Sequence, residues 1–561
     1  MKKTFTLIIS ILITCTLFAQ KNSEAYIIKF KDKGESKNTL SNPRQYLSDR
    51  SLERRLLQQI PLDESDLPVN DKYLNELKKL GAEVFYTSKW LNLALAYLDK
   101  ETQISTISKL TFVKAVKKSN PFEPKTNHWS DKEFFQKEKV QNVDLGKFSS
   151  NSSTVLSLNY GPSANQSQMI KIDQLHNQGY TGNGIIIAVI DAGFNSVNIM
   201  EVFDSLRANN KILGTRDFVQ PGNNVYNSNL STHGSMVLST MGGNSPGQLI
   251  GTAPHASYYL FRSEDASAEY LMEEYYWVQA AEYADSVGAD ILNTSLGYTV
   301  FDDTADNHTY ADMDGNTTVI TIGADMAAKK GLLVINSAGN QGNEEWRYIS
   351  APADGDSVLA IGAVDADGNY AFFSSVGPTS DGRIKPDVVT QGYNAWLATV
   401  PAGFGMGSGT SFSAPILSGA AACLWQANPT YSNMEIFNAI KQSGSRASNP
   451  DNLIGWGIPD FVLANSLLVG NINEINYSHE INCYPNPFTD YIIVDFILRI
   501  NADTKVRLLN SQGKVLKTTS NINLKQGPNK IQFDNLDLFP KGIYFIQVSN
   551  AYGTNTQKII K

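Results

Sequence analysis

The sequence predicts an α/β domain, a parallel sheet with helices on both faces, between two smaller units. Three observations predict it. Across residues 159–470, apolar runs alternate with stretches of helical periodicity, and buried strands joined by helices make a parallel sheet covered on both sides. Residues 20–120 mix short alternating strands with helical patterns, which reads as a small α+β unit. From residue 481 onward, short strands separated by turns read as a small β-sandwich. A chain of 561 residues is too long for one core, so several domains are required.

Taken in order, residues 1–19 have a cationic start, an apolar run from Phe5 to Ile13 and a small residue at Ala19. This reads as a secretory signal peptide cut after Ala19, too short to span a membrane. In the first unit, Ala25–Phe30 is a strand, 47–59 and 71–80 are helical, 83–98 supplies one or two strands and Phe112–Val116 another. Residues 121–158 turn polar, with Pro121, Pro124 and a Ser/Asn run at 149–153, and read as a linker open to nicking. In the central domain the strands are Ile185–Ile190, Ser257–Phe261, Asp290–Asn293, Leu332–Ile335 and Val358–Gly362. Helices are expected over 267–287, 317–330, 411–427 and 432–442. A second polar linker covers 471–480. The last unit, 481–561, gives short segments at Tyr491–Phe496, Lys505–Asn510, Ser511–Lys514, Lys530–Phe533 and Gly542–Val548.

Composition narrows the function. Hydrophobic residues make up 42% and charged residues 18%, and the net charge is -8. No basic block stands out, so nucleic acid is not an expected partner. Without the signal peptide only Cys423 and Cys483 remain, in different units, which predicts neither a disulfide framework nor a cysteine metal site. His-Glu-x-x-His and the phosphate-binding Gly-Lys-Ser/Thr loop are both absent from the sequence. The acidic loop Asp302, Asp303, Asp306, Asp312, Asp314 matches a calcium loop only in part, since Tyr310 stands at the first ligand position, and reads as solvated.

Four positions carry chemistry together. Ser411 lies in Gly409-Thr410-Ser411-Phe412-Ser413-Ala414-Pro415, where a glycine-rich loop enters a helix and free N–H groups favour developing negative charge. Asp191 directly follows an apolar strand, at the carboxyl end where ligands bind in this fold class. His233 opens the small-residue helix His233-Gly234-Ser235-Met236-Val237. Of the other five histidines, His176 and His255 read as surface turns, and His128, His308 and His479 as linker or loop. Asn340 ends Asn336-Ser337-Ala338-Gly339-Asn340, just after a strand. Alone, Ser411 reads as a helix cap and Asp191 and Asn340 as turn residues. Together the four fit nucleophile, base, orienting acid and oxyanion donor.

The order Asp191, His233, Ser411, within Ile-Asp-Ala-Gly, His-Gly-Ser-Met-Val, Ser-Ala-Gly-Asn and Gly-Thr-Ser-Phe-Ser-Ala-Pro, resembles the subtilisin-like serine peptidases over residues 165–465. Two departures are Phe412, where many relatives carry Met, and Ala192, where Thr or Ser is common. The resemblance implies a secreted serine endopeptidase made as a proenzyme, working through an acyl-enzyme. It further implies that Ser295-Leu296-Gly297 and Ser337-Ala338-Gly339 bind an extended substrate, with residues 20–120 acting as propeptide and temporary inhibitor. Tyr484-Pro485-Asn486-Pro487-Phe488, Gln512-Gly513-Lys514 and Gly542-Ile543-Tyr544 resemble the sorting domain read by type IX secretion machinery. That implies export through the periplasm of a Gram-negative bacterium to the medium or the cell surface. Protein substrates, the propeptide and the secretion machinery are the implied partners, and a monomer is expected. No cofactor is implied for catalysis; structural calcium is left open. The alternative is a surface-attached binding protein with an inactive peptidase fold.

Overall fold

The computed structural model describes residues 24–99, 101–119, 138, 140–143, 158–470, 481–498, 502–519, 522–525, 527–550 and 553–561. The signal-peptide segment, His128 and His479 lie outside them. The chain divides into two compact units. The first comprises residues 1–36, 69–87 and 92–121, and the second comprises 37–68, 88–91 and 122–561.

The first unit is a four-stranded sheet ordered Glu83–Ser88, Leu93–Leu98, Glu24–Phe30, Val113–Ser119. Glu24–Phe30 runs antiparallel to both its neighbours. Helices Asp71–Lys79 and Glu101–Ser108 bury Leu77 and Ile107 in one core with Tyr26, Ile28 and Phe30 of the central strand. Asn70 starts the first of these helices by accepting the Lys72 N–H, the usual role of an Asn at that position. The helix Glu101–Ser108 had no counterpart in the sequence reading.

In the second unit seven strands form a parallel sheet, ordered Val388–Gln391, Val358–Val364, Leu333–Ser337, Ile291–Thr294, Ile186–Asp191, Ser257–Arg262, Ile212–Asp217. Residues of both parities are buried along Ile186–Asp191, as a sheet covered on both faces requires. The helix Thr410–Ala427 is buried from Thr410 to Trp425 and shares a core with Ile187, Val189, Leu333 and Ile361. Strand order reverses between Ile186–Asp191 and Ile291–Thr294, so the crevice at the carboxyl ends of these two strands is where the topology opens a ligand site. All five expected strands of this domain form, with two more at the edges of the sheet. The edge strand Ile212–Asp217 escaped the sequence reading because only Asp217 in it is buried.

Glycine sets how tightly the helices approach. A Cβ on Gly419 would lie 2.1 Å from Thr252 Oγ1, and one on Gly234 would lie 2.4 Å from the Gly193 carbonyl oxygen and 3.0 Å from Asp191 Cβ. Gly234 therefore lets the helix His233–Gly242 press its first turn onto the end of the Asp191 strand.

Residues 37–68 and 88–91 join this unit through buried charge. Asp285, fully buried on the helix Met272–Val287, takes Arg54 at 2.6 Å, Arg55 at 2.9 Å and Lys89 at 3.1 Å. Glu282, one turn earlier, accepts the backbone N–H groups of Lys89 and Trp90, each at 3.0 Å. Burial pushes the Asp285 carboxyl up, but Lys89, Arg55 and Arg54 outweigh it and hold it at about 2. A carboxyl depressed on folding contributes stability above its ordinary value of 3.8, which is lost as pH falls towards 2. Asp285→Ala removes the carboxylate that three cations share, and we expect a loss of about 3–5 kcal/mol in urea unfolding of the uncleaved chain at neutral pH.

The C-terminal residues form two antiparallel sheets. One is Asn482–Tyr484, Ile492–Leu498, Gly527–Phe533. The other is Val515–Thr518, Ala502–Asn510, Ile543–Asn550, Gly553–Ile560, with Ile522–Leu524 also paired to Ala502–Asn510. They share a core that includes Ile492, Val494, Leu508, Ile546 and Ile559. Ser511–Lys514, read with the strand segments, is the turn between Ala502–Asn510 and Val515–Thr518; Asn510 Oδ1 accepts the Gln512 and Lys514 N–H groups across it. Both remaining cysteines are free. No helix among the described residues is long and apolar enough to cross a membrane.

Candidate active site

The four residues singled out from the sequence lie around the crevice: Asp191 is paired with His233, and Asn340 with Thr410, the residue before Ser411. Asp191 ends the central strand and is wholly buried. Its Oδ1 accepts the Ala192 backbone N–H at 2.7 Å, so a side-chain hydroxyl at 192 is not needed to fix the carboxylate. His233 Nδ1 lies 2.8 Å from Asp191 Oδ1 and 3.0 Å from Oδ2. An acceptor-only carboxylate on Nδ1 sets the proton there and turns Nε2 to the site. The imidazole centroid is 6.1 Å from the ring of Phe412, the residue after Ser411.

Ser411 is the second residue of the helix Thr410–Ala427. Its Oγ donates to the Ser295 carbonyl at 3.3 Å, and Ser295 Oγ donates to the Ser411 carbonyl at 2.9 Å. Proline explains the second bond. The Ser411 carbonyl would take the N–H of residue 415 in a regular helix, but Pro415 has none, and Ser295 supplies the missing donor. Asn340 Oδ1 accepts both Thr410 N–H, at 2.8 Å, and Thr410 Oγ1, at 2.9 Å. Two donors on one atom fix the amide orientation, so Nδ2 points into the site.

A fifth residue, Glu138, occupies the site and was not anticipated. Its Oε1 accepts from Asn340 Nδ2 at 3.1 Å, and its Oε2 is 2.9 Å from His233 Nε2. Residues 140–143, within the stretch read as a linker, form a strand paired antiparallel with Phe404–Gly407, which ends two residues before Gly409. Burial alone would push His233 down, but the Asp191 and Glu138 carboxylates outweigh it and raise it to about 10. With Glu138 in place the imidazole lies between two carboxyl groups, which favour its protonated form.

The two segments expected to bind substrate lie beside this centre. Ser295 follows the strand Ile291–Thr294, and Leu296 offers its carbonyl to Asn336 Nδ2 at 3.0 Å. Ser337 ends its strand, Ala338 is wholly buried, and Gly339, at φ +109, donates its N–H to Thr410 Oγ1 at 3.2 Å. The remaining described histidines sit elsewhere. His176 is buried, contrary to the surface turn expected of it: Nε2 meets the Thr252 carbonyl at 2.9 Å and Nδ1 the Tyr160 hydroxyl at 2.6 Å. Burial lowers it to about 4, which keeps it neutral. His255 pairs with Thr181 and His308 with Glu274.

Asp303, Asp312 and Asp314 of the acidic loop accept backbone N–H groups of their own turns. Glu264, Glu269 and Glu273 bring carboxylate oxygens within 4.8 Å of one another, a donor set of the right type for a hard cation. Glu273 also accepts the Asp265 and Tyr270 N–H groups.

Residues 182–457 match the model of the Subtilase family, and the subtilisin of Bacillus pumilus is 31% identical over 281 residues, 49% of this chain and 89% of that protein. The chain belongs to the subtilase family. Residues 25–133 match the peptidase S8 propeptide domain of Bacteroidota, and residues 482–561 the secretion system C-terminal sorting domain. This subtilase is thus a secreted or cell-surface protein with a propeptide. It is also similar to Subtilisin NAT of Bacillus subtilis subsp. natto, 32% identical over 285 residues, 50% of this chain and 65% of that protein. Subtilisin E of Bacillus subtilis strain 168 is 31% identical with the same coverage. The chain thus spans 65% of the length of these two relatives.

Proposed function

We propose that this subtilase is a serine endopeptidase, exported through the periplasm of a Gram-negative cell and activated from a proenzyme. Ser411 Oγ attacks the scissile carbonyl, and His233 Nε2 takes its proton and returns one to the leaving amine. Asp191 holds the imidazole in the tautomer this needs and stabilises the imidazolium. The Asn340 amide donates to the tetrahedral oxyanion. The C–N bond breaks, the acyl group stays on Ser411, and water releases it through the same His233. The observation that carries this reading is the buried carboxylate–imidazole pair, 2.8 Å apart, at the sheet crevice that also holds Ser411. No cofactor enters the chemistry. Ser295-Leu296-Gly297 pairs with the substrate backbone, and with the small residues Ser337-Ala338-Gly339 it forms a pocket for a large apolar side chain.

Digestion of an unfolded protein by the processed enzyme, with the products sequenced by mass spectrometry, tests the activity. Cuts inside the chain, after large apolar residues, are expected; trimming from the ends alone, or no cuts, overturns the reading. Asn340→Leu removes an oxyanion donor, and turnover should fall about 100- to 1000-fold with little change in KM, a magnitude taken from subtilisin, a relative. Activity should also rise with pH as His233 loses its proton. Its titratable neighbours are Asp191 and Glu138, which together raise it to about 10. Processing that displaces Glu138 removes one of them, so the midpoint of the processed enzyme lies below that value. A rate independent of pH from 5 to 10 contradicts His233 as base.

A further inference from the structure

The segment that enters the active site is not part of the matched propeptide domain, which ends at residue 133. Glu138 lies beyond it, and its side chain is 2% exposed. One oxygen takes the amide that faces an oxyanion, and the other faces the imidazole nitrogen that must accept the serine proton. The seat fits this side chain closely: a Cβ on Gly409 would come within 2.7 Å of Glu138 Oε1. The strand Val140–Val143, paired residue by residue with Phe404–Gly407, fixes the chain next to the seat.

Resting on the peptidase reading, we infer that Glu138 is a built-in plug of the active site: its carboxylate fills the oxyanion position and pairs with His233, and the strand Val140–Val143 tethers it there, so the uncleaved chain is latent. The inhibition is separate from any that the propeptide domain exerts. A carboxylate suits the task because one oxygen accepts from the amide while the other stands at ion-pair distance from the imidazole, and its carbon is not open to attack by Ser411. With both atoms of the machinery engaged, a substrate carbonyl finds neither a donor for its oxygen nor a base for the serine proton. Activation is then the withdrawal of one side chain and one short strand.

The test is the rate at which a fluorophosphonate labels the full-length, unprocessed chain, read by intact mass so that processed molecules are counted apart. Glu138→Gln keeps the shape and removes the charge, and Asn142→Pro disturbs the tether without touching the plug. Each should speed labelling of unprocessed chain by about 10- to 100-fold over the wild type, the worth of a charge-assisted contact. Two variants at separate points guard against one that fails to fold. If both unprocessed variants label no faster than wild type while processed wild type labels readily, the plug is overturned and the peptidase reading stands. If processed wild type does not label at all, the peptidase reading itself fails.

Discussion

Ser411→Ala should reduce turnover about a million-fold while leaving the fold intact. The size comes from subtilisin, where loss of the nucleophile or the base removes about as much rate as loss of the whole triad, because the groups act as a unit. Here the substituted oxygen donates only to the Ser295 carbonyl, at 3.3 Å, a long bond. The turn itself is held by Ser295 Oγ on the Ser411 carbonyl and by Asn340 on Thr410, and neither contact involves the lost hydroxyl. Compared with its parent in the same state of processing, the variant should therefore keep the unfolding temperature and, once processed, still bind peptide. It should also accumulate as unprocessed chain if the protein cuts itself. Steady-state rates on a peptide substrate, with thermal unfolding as the control, decide this. A loss below about a hundredfold contradicts Ser411 as nucleophile.

Asp191→Asn should cost about ten thousand-fold in turnover, again with little change in KM. Asp191 presents two acceptor oxygens to His233 Nδ1, at 2.8 and 3.0 Å, so the nitrogen must carry its proton there and leave Nε2 as the base. An amide can turn its NH2 group to Nδ1, which reverses the tautomer and leaves Nε2 protonated and useless. It also takes away the buried charge that stabilises the imidazolium during transfer. Because Ala192 N–H already donates to Oδ1, the amide oxygen would keep that partner and the NH2 group would face the histidine. The rate lost should not return at any pH, since the fault is one of orientation. Recovery of the wild-type rate at alkaline pH would show that Asp191 only tunes the titration of His233.

The parallel sheet, and where the four candidate residues stand in it, could be read from the sequence for local reasons. Asp191 follows an uninterrupted apolar strand, His233 opens a helix of small residues, and Ser411 stands where a glycine loop becomes a helix; each signal is contained in a few neighbouring residues. What escaped depends on partners far along the chain. Glu138 sits in a polar run with no periodicity, and nothing near it marks a carboxylate that meets Asn340 and His233, 202 residues and 95 residues away in sequence. His176 has Asn177, Gln178 and Gly179 after it, which look like a surface turn, yet Tyr160 and Thr252 give its two nitrogens buried partners. Ile212–Asp217 exposes most of one edge of the sheet, so it lacks the apolar run that betrayed the other strands. Ser511–Lys514 falls among the expected strand segments, yet Gly513 at φ +79 marks it as a turn.

The most direct measurement is peptide mapping after a fluorophosphonate has reacted with the processed protein recovered from culture medium. The account predicts a single adduct on the peptide containing Gly409–Pro415, located at Ser411, and none when His233 is replaced by alanine. An adduct on a different serine, or a folded processed protein that takes up no reagent, would contradict it.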